Sequence, residues 1–240
     1  MAKRLAELTG KQVDQADLSI ALLPVGAIER HGNHMALGTD TYTAVHIAER
    51  VADEIGAVVL PPVWYGSCTA MRRHRGTFDI DMDALSNYVS EILREAWRNG
   101  VKLLVIINGH GGNTQALHYA AKSVSRQTGL AVTIIDWWRD VAREKRRELF
   151  SYPGHAGEDE TSAMLAINKD LVDMESAEGA MVEYPPFKLY YQSKEEEIYA
   201  KAVTGDPSIA SAEKGIEWLN AVVSEIVAVI RELKKYTGIN

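Results

Sequence analysis

Acidic and histidine side chains that can hold a metal ion are concentrated in short glycine-containing segments of the chain. Glu29 and His31 occur in IERHGNH, and His110 occurs in GHGGN. Because alternate side chains of an extended backbone point the same way, Glu29 and His31 can reach one ligand together. A third segment, GHAGEDETS at 154–162, again combines histidine with acids. Mixed carboxylate and imidazole donors suit Zn²⁺, Mn²⁺ or Fe²⁺, whereas a donor set without cysteine argues against a structural zinc finger.

Asp40 is a further candidate ligand because it lies at the start of a helix-like stretch that follows the first segment. From that place its carboxylate can turn back toward Glu29 and His31, and it can bridge two metals ~3.5–4 Å apart. The simpler alternative is that Asp40 only helps to cap the helix. The other histidines are interpreted as structural or surface residues; they are His34, His46, His74 and His118.

Short apolar runs alternate with helix-period segments and predict the elements that must position these side chains. Buried strands are predicted at 18–25, 57–63, 101–108 and 130–136. Helices are predicted at 40–55, 83–99 and 113–128, each followed by a capping glycine. This alternation predicts an α/β fold: a single three-layer domain whose largely parallel sheet is covered by helices on both faces. Right-handed crossovers then bring the carboxyl ends of the strands, and the three segments, to one edge.

The last third of the chain is less regular. VEYPPFKLYYQS is aromatic and interrupted by proline, which predicts an irregular flap, and residues 208–235 predict a long amphipathic C-terminal helix. The sequence contains no low-complexity linker, long charge run or internal repeat. The simplest interpretation is one domain over residues 1–240.

Composition excludes several classes of protein. The 240 residues carry a net charge of −7, which argues against a surface that coats nucleic acid. The single cysteine rules out an internal disulfide. No apolar stretch approaches the ~20 residues needed to span a bilayer, and MAKRLAELTG lacks the apolar core of a signal peptide. We therefore expect a cytoplasmic protein that binds a small molecule and neither nucleic acid nor membrane.

Each of the three segments also has a plainer explanation. A glycine-rich turn such as GHGGN can form a phosphate cradle at a helix N-terminus, although this one lacks the lysine of a P-loop and the spacing of a dinucleotide fingerprint. The acids at 158–160 can be favoured by a helix dipole alone. These alternatives weaken jointly, because the predicted fold gathers all three segments at one edge of the sheet.

Taken together, LLPVGAIERHGNHMALGTD, INGHGGN and GHAGEDETS resemble the three signature segments of the creatininase family of metal-dependent amidohydrolases. Their order and spacing match, and RGTFDID resembles the Gly-Thr segment after the family's second strand. The resemblance covers most of the chain. It implies a single α/β domain and a homo-oligomer built from dimers, often a hexamer.

Carried over to this sequence, the resemblance makes Glu29, His31, Asp40 and His110 ligands of divalent metal, with two metals per chain. Asp40 bridges them, Glu29 and His110 complete one metal, and His31 serves the other. Creatininase carries a glutamate two residues after the turn histidine, where this chain has Gly112. One ligand is therefore missing.

The glycine at 112 is expected to leave the floor of the pocket emptier by a whole side chain. We expect Glu160 to supply the missing carboxylate to the second metal. His155 is then expected to position the substrate or to transfer a proton, and either His155 or Glu158 to protonate the leaving nitrogen.

The expected reaction is hydrolysis of a C–N bond in a small cyclic amide or formamide by metal-activated water. Arg72, Arg73 and Arg75 lie near the second strand end, where they either form a solvated loop or recognise an anionic group through their planar guanidinium. Trp137 and Trp138 are candidate walls of the pocket, with core packing as the alternative.

Two alternative functions remain open. One is deformylation of a formylamino-pyrimidine nucleotide in flavin or deazaflavin biosynthesis, which the arginines would favour through the phosphate. The other, of a different class, is a non-catalytic metal-binding sensor or assembly subunit, against which the ligand set argues. Because the glutamate of creatininase is missing, creatinine is expected to be a poor substrate.

Overall fold

The computed structural model describes residues 3–239, and within them five parallel strands form one sheet. The strands are β1 (Lys3–Arg4), β2 (Ile20–Val25), β3 (Val58–Val59), β4 (Leu103–Asn108) and β5 (Ala131–Asp136). Their order across the sheet is β1-β3-β2-β4-β5. The two strands that precede the first two candidate segments, β2 and β4, therefore lie side by side.

Nine α-helices are described between residues 3 and 239. They are α1 (Gly10–Asp14), α2 (Thr39–Ile55), α3 (Met82–Arg98), α4 (Thr114–Thr128), α5 (Trp137–Asp140), α6 (Arg143–Leu149), α7 (Glu158–Asn168), α8 (Gln192–Ile198) and α9 (Ala212–Thr237). Helices α2 and α9 cover one face of the sheet, and α3 and α4 cover the other.

The central strand β4 contributes side chains to both of these layers. Val105 and Ile107 belong to the core formed with α2 and α9, whereas Leu104 and Ile106 belong to the core formed with α3 and α4. Each such side chain contributes about 1.5–3 kcal/mol when it is fully buried. Burial on both faces explains why β4 reads in the sequence as an unbroken apolar run and not as an alternation.

The parallel register places the carboxyl ends of three strands at one level. Val25 of β2 pairs with Asn108 of β4, which pairs with Asp136 of β5. The segments that follow β2 and β4 therefore leave the sheet next to each other, carrying Glu29 and His110. Asn108 is buried and donates to the Asp136 carboxylate at 2.7 Å, which ties β4 to β5 at this edge.

The fold class predicted from the sequence is confirmed: the chain is a single α/β domain with a parallel sheet between helices. The strand predicted at 57–63 contracts to β3, because Pro61 and Pro62 have no N–H to donate to a neighbouring strand. No sequence pattern predicts β1, since two residues are too few to show a periodicity.

The C-terminal third also follows the prediction, with an adjusted boundary. The long helix begins at Ala212 because the Ser211 side chain caps it, accepting a hydrogen bond from the N–H of Lys214 at 3.3 Å. The aromatic stretch before α8 is irregular. None of the helices between residues 3 and 239 combines the length and the apolar character of a transmembrane helix.

Candidate metal centre

The segment after β2 places Glu29 and His31 side by side at the carboxyl edge of the sheet. Glu29 is 1% exposed and His31 is fully buried. The N–H of Glu29 donates to the Leu37 carbonyl at 3.0 Å, and Nδ1 of His31 donates to the Glu29 carbonyl at 3.2 Å. These bonds leave Nε2 of His31 facing the carboxylates of Asp40 and Glu160.

Asp40 lies between two imidazoles in the first turn of α2. Its Oδ1 is 3.1 Å from Nε2 of His31, and its Oδ2 is 3.3 Å from Nδ1 of His110. Burial alone would raise the pKa of Asp40, but the two histidines outweigh burial and hold this pKa well below its usual range. The helix N-terminus also favours the negative charge. This is the position of a carboxylate that can be shared between two cations.

His110 reaches the cluster because the turn after β4 comes close to the start of α2. A Cβ on Gly109 would lie 2.2 Å from the Asp40 carbonyl oxygen, so only glycine permits this approach. Nδ1 of His110 is 3.1 Å from Oε1 of Glu29, and Nε2 donates to the Ser67 carbonyl at 2.8 Å.

The third segment brings His155 and Glu160 to the same cluster. The ring centroids of His31 and His155 are 4.5 Å apart, and Nδ1 of His155 is 3.6 Å from Oε1 of Glu29. Glu160 lies in the first turn of α7, where its Oε2 accepts a hydrogen bond from the N–H of Ala156 at 2.7 Å and lies 3.7 Å from Nε2 of His31. Three distant parts of the chain therefore meet at one place.

The three imidazoles share one arrangement, in which one nitrogen donates to a backbone carbonyl and the other faces a carboxylate. The carbonyl acceptors belong to Glu29, Arg30 and Ser67. A hydrogen bond of this kind selects the tautomer of a histidine and aims its free nitrogen, as it does around protein-bound metals.

Buried polar atoms without a suitable hydrogen bond mark the centre of the cluster. They are Oε2 of Glu29, Nε2 of His31 and Oδ2 of Asp40. Leaving such a group unpaired costs about 1–3 kcal/mol. Burial also raises the pKa of Glu160 to about 8, so the surrounding residues supply too little positive charge for this carboxylate. Divalent cations would supply the missing partners and positive charge, and the nitrogen and oxygen donors fit Zn²⁺, Mn²⁺ or Fe²⁺.

Glu158 does not belong to the cluster, which corrects the expectation that it protonates a leaving group. It is fully buried, and its carboxylate accepts hydrogen bonds from the N–H groups of Ser151 and Tyr152 at 2.7 and 2.9 Å. Its other oxygen pairs with Nζ of Lys214 at 2.5 Å. Glu158 thus anchors the loop before α7 to α9.

The two tryptophans expected as pocket walls are placed differently. Trp137 is 2% exposed and packs against Trp218, with ring centroids 4.6 Å apart, so its role is in the core. Trp138 is half-buried, and a Cβ on Gly111 would lie 3.6 Å from its ring. Of the two, Trp138 is the one beside the turn that carries His110.

A polar cavity of about 430 Å³ adjoins the segment that carries the first two candidate ligands. Its charged lining residues are Arg30, Arg73, Arg75, Glu178 and Lys201. Arg72, which the sequence groups with the other two arginines, does not line this cavity. Arg30 connects the cavity to the cluster, because its side chain lines the cavity while its carbonyl accepts the hydrogen bond from His155 at 2.9 Å.

Gly112 does not leave an emptier pocket floor, contrary to the sequence-based expectation. A Cβ at this position would lie 1.9 Å from the Ser67 carbonyl oxygen and 2.6 Å from Nε2 of His110. The loop after β3 therefore occupies the space that a side chain at 112 would need. The carboxylates of Asp40 and Glu160 lie 3.1 and 3.7 Å from Nε2 of His31, so Glu160 is in place to supply a carboxylate there.

Two buried residues complete the site without any sequence pattern that singles them out. Asn113 accepts a hydrogen bond from the N–H of Ser67 and donates to the Gly26 carbonyl, both at 2.9 Å, and so joins the loops after β2, β3 and β4. Cys68 is 1% exposed and lies beside two of the proposed ligands. Asn113 is at least part of the GHGGN segment, whereas the surroundings of Cys68 in the sequence give no signal.

Known proteins with similar sequences perform hydrolysis. The family profile described as creatininase, creatinine amidohydrolase, matches residues 6–230. Creatinine amidohydrolase of Pseudomonas putida is 30% identical over 95% of this chain and 96% of its own length. The 3-dehydro-scyllo-inosose hydrolase of Thermotoga maritima is 26% identical over 93% of this chain and 79% of its own length.

The fold agrees with these sequence relationships. A structure of creatininase with Mn superimposes on this chain with a TM-score of 0.86 and 30% identity, covering 97% of this chain and 98% of that one. The profile match spans the first, second and third candidate segments alike. The chain therefore belongs to the creatininase family of amidohydrolases.

Proposed function

We propose that the protein is a metal-dependent amidohydrolase that cleaves a C–N bond of a small cyclic amide or formamide. The observation that carries this proposal is the position of Asp40, whose two oxygens lie 3.1 Å from His31 and 3.3 Å from His110. A buried carboxylate between two imidazoles is the arrangement expected of a ligand that bridges two metals. The proposed ligands are Glu29, His31, Asp40, His110 and Glu160.

The charge of the ligand set supports two metals per chain. Glu29, Asp40 and Glu160 carry three negative charges when they are ionised, and the neutral imidazoles carry none. One divalent ion would leave one negative charge uncompensated in a buried place, which is costly. Two ions would supply four positive charges, one more than the three carboxylates carry, and a hydroxide ion made from water at this site would balance the remaining one. The proposed metals are Zn²⁺, Mn²⁺ or Fe²⁺, which polarise a carbonyl group and lower the pKa of bound water toward ~7.

His155 is the residue proposed to handle a proton at the reacting centre. Burial and the neighbouring His31 lower the pKa of His155 to about 4, so its imidazole is neutral at pH 7. Because Nε2 donates to the Arg30 carbonyl, Nδ1 is the nitrogen that can accept a proton. Trp138 is proposed to wall the pocket beside the turn that carries His110.

Metal analysis of an Asp40→Asn variant, combined with a hydrolysis screen, tests the proposal. The wild-type protein should bind two metals per chain and hydrolyse at least one lactam or formamide, whereas folded Asp40→Asn should bind at most one metal and lose activity. Asp83→Asn is a matched control, because Asp83 is the second residue of α3 as Asp40 is of α2, but it is exposed. Two metals on folded Asp40→Asn would refute the bridging role. Failure of the fully metal-loaded wild type on every amide and formamide would refute the function.

A formylamino-pyrimidine nucleotide deformylase is the second candidate function, and the cationic cavity is the observation that favours it. Arg30, Arg73 and Arg75 line this cavity next to the ligand-bearing segment. A guanidinium fork matches the oxygens of a phosphate group. Comparing formylamino-pyrimidine substrates with and without the phosphate distinguishes this function from hydrolysis of a neutral cyclic amide.

We further propose that the protein works in the cytoplasm as a homo-oligomer built from dimers, with a hexamer as the expected assembly. The support is an exposed apolar surface in the stretch before α8. Its large exposed side chains are Met181, Tyr184, Phe187, Leu189, Tyr190 and Tyr191. A contiguous exposed apolar segment of this kind is typical of a protein–protein contact.

A further inference from the structure

Cys68 is placed where its sulfur can reach the metal centre. Its Sγ, a carboxylate oxygen of Glu29 and a ring nitrogen of His110 all lie within 4.8 Å of one another. Glu29 and Cys68 are buried, and His110 is partly buried. The chain contains one cysteine, and nothing in the chemistry proposed above uses it.

The backbone around Cys68 is held firmly in this position. The N–H of Cys68 donates to Oδ1 of Asp79 at 2.7 Å, and the N–H of Ser67 donates to Asn113 at 2.9 Å. The Ser67 carbonyl accepts the hydrogen bond that orients His110. The same carbonyl occupies the space that a side chain on Gly112 would need. The loop that fills the place of an absent side chain therefore also delivers the thiol.

An independent observation marks this corner of the cluster as a ligand site. Oε2 of Glu29 has no hydrogen-bond partner and no access to water, because the residue is buried and only 1% exposed. Oδ2 of Asp40, which faces His110, is also buried without a hydrogen-bond partner. Unpaired carboxylate oxygens beside a thiol and an imidazole need a cation, because burying them unpaired is costly.

We propose that Cys68, as a thiolate, is a ligand of the metal that Glu29, Asp40 and His110 hold. This inference rests on the proposed function only in requiring that the cluster binds metal. The thiol proton passes to solvent when the sulfur coordinates, because a coordinating thiol is deprotonated. Sulfur donors select zinc over manganese and magnesium, so this metal position takes zinc.

The thiolate also gives the two metal positions different tasks. Cys68 lies with Glu29 and His110, and Asp40 is 3.3 Å from His110, so these residues would provide four protein donors. A closed four-donor set is characteristic of a firmly held zinc. A catalytic zinc keeps one position open for water or substrate. The open position therefore belongs to the metal beside His31, which has no sulfur donor and accepts manganese or zinc.

The test is the absorption spectrum of the full-length protein loaded with Co²⁺. A cobalt–thiolate bond produces an intense charge-transfer band in the near ultraviolet, and Cys68 is the only cysteine that can produce it. We expect the band in the wild type, its disappearance in Cys68→Ser, and its displacement by added Zn²⁺. We also expect Cys68→Ser to bind Zn²⁺ about tenfold or more weakly, with the Mn²⁺ affinity changed far less.

The outcomes separate this inference from the proposed function. Weak visible cobalt bands without the charge-transfer band in the wild type would show metal bound by nitrogen and oxygen alone, which overturns the thiolate ligand and leaves the hydrolase proposal standing. No cobalt spectrum and no bound metal would overturn both. Because the wild-type spectrum is decisive by itself, the test holds even if Cys68→Ser fails to fold.

Discussion

The carbonyl oxygen of Ser67 lies 1.9 Å from the point at which a Cβ on Gly112 would stand. Any side chain at 112 must therefore displace the loop after β3. This loop also contains Cys68, and its Ser67 carbonyl orients the imidazole of His110. The position at which the expected glutamate is missing is thus part of a packed arrangement, in which a side chain at 112 needs the loop after β3 to move.

Gly112→Ala should lower the free energy of unfolding by about 1–3 kcal/mol, the usual cost of overpacking. Gly112→Glu should cost more and should not confer hydrolysis of creatinine. Denaturant unfolding measures the stabilities, and Gly10→Ala is the control, because a Cβ on Gly10 meets nothing within 4 Å. That control should change the stability by less than about 0.5 kcal/mol. A stable Gly112→Glu variant that hydrolyses creatinine faster than the wild type would contradict this prediction, because it would show that the loop after β3 can move aside.

Metal binding at pH 7 should release about four protons per chain, three from His31, His110 and Glu160 and one from the Cys68 thiol, because the ligands must lose them to coordinate. Although burial opposes it, Asp40 raises the pKa of His31 to about 10. Burial also lowers the pKa of His110, but Glu29 and Asp40 outweigh it and raise this pKa well above its usual value. Burial raises the pKa of Glu160 to about 8. All three groups are therefore protonated at pH 7 without metal, and metal affinity should increase as the pH rises.

Calorimetric titration at one pH in buffers of different ionisation enthalpy measures this proton release. A binding heat that is independent of the buffer would contradict the prediction. The stability of the metal-free protein provides a second check. A pKa that is raised by folding stabilises the protein below the unfolded value and loses this effect as the pH rises through the folded value. The metal-free protein should therefore become less stable between pH 7 and about 10, the pKa of His31.

Glu158→Gln should affect stability and not chemistry. The variant weakens charge-assisted hydrogen bonds to Ser151 and Tyr152 and leaves Lys214 without its partner, at a cost of about 1.5–3 kcal/mol. His155→Gln should instead lower kcat by about 100-fold or more, as expected for loss of a proton-transfer group. Thermal unfolding and steady-state kinetics of the two variants decide between these roles. A large loss of kcat in Glu158→Gln, with normal metal content and stability, would show that Glu158 takes part in the reaction.

Arg75→Ala should raise KM for an anionic amide about tenfold, which corresponds to ~1.4 kcal/mol, and leave a neutral analogue almost unchanged. The reason is that Arg75 lines the cationic cavity. Arg72→Ala is the matched control, because Arg72 is equally an exposed arginine of the same loop but does not line the cavity. Equal effects of the two substitutions on the anionic substrate would mean that the arginines act only through net charge.

Sedimentation should show an oligomer at micromolar concentration, and Phe187→Glu should shift it toward smaller species. Phe187 is 86% exposed in the single chain, so its ring is available for a subunit contact. Tyr236→Glu is the control, since Tyr236 is 80% exposed but lies at the end of α9, away in sequence from the aromatic stretch. A monomeric wild type would reject the prediction.

The sequence predicts the fold class and the segments of the site because both depend on local patterns. Apolar runs show the buried strands, and the carboxyl ends of parallel strands share an edge. The sequence alone does not determine which acid of the third segment faces the cluster. Successive residues of a helix are about 100° apart, so Glu158 and Glu160 necessarily point to different sides, and packing determines which one meets His31. The position of Cys68 near the cluster is even more difficult to predict from the sequence, since only the tertiary contact between two loops brings its sulfur to His110.

The anchoring of the imidazoles by main-chain carbonyls has a consequence for how such a site can diversify. The carbonyl of residue 30 orients His155 and that of residue 67 orients His110. A peptide carbonyl is present whatever side chain its residue carries. Arg30 and Ser67 can therefore be exchanged for other residues while the reactive nitrogens keep their aim. Selection for a new substrate can therefore change the side chains around the centre without disturbing the orientation of these two histidines.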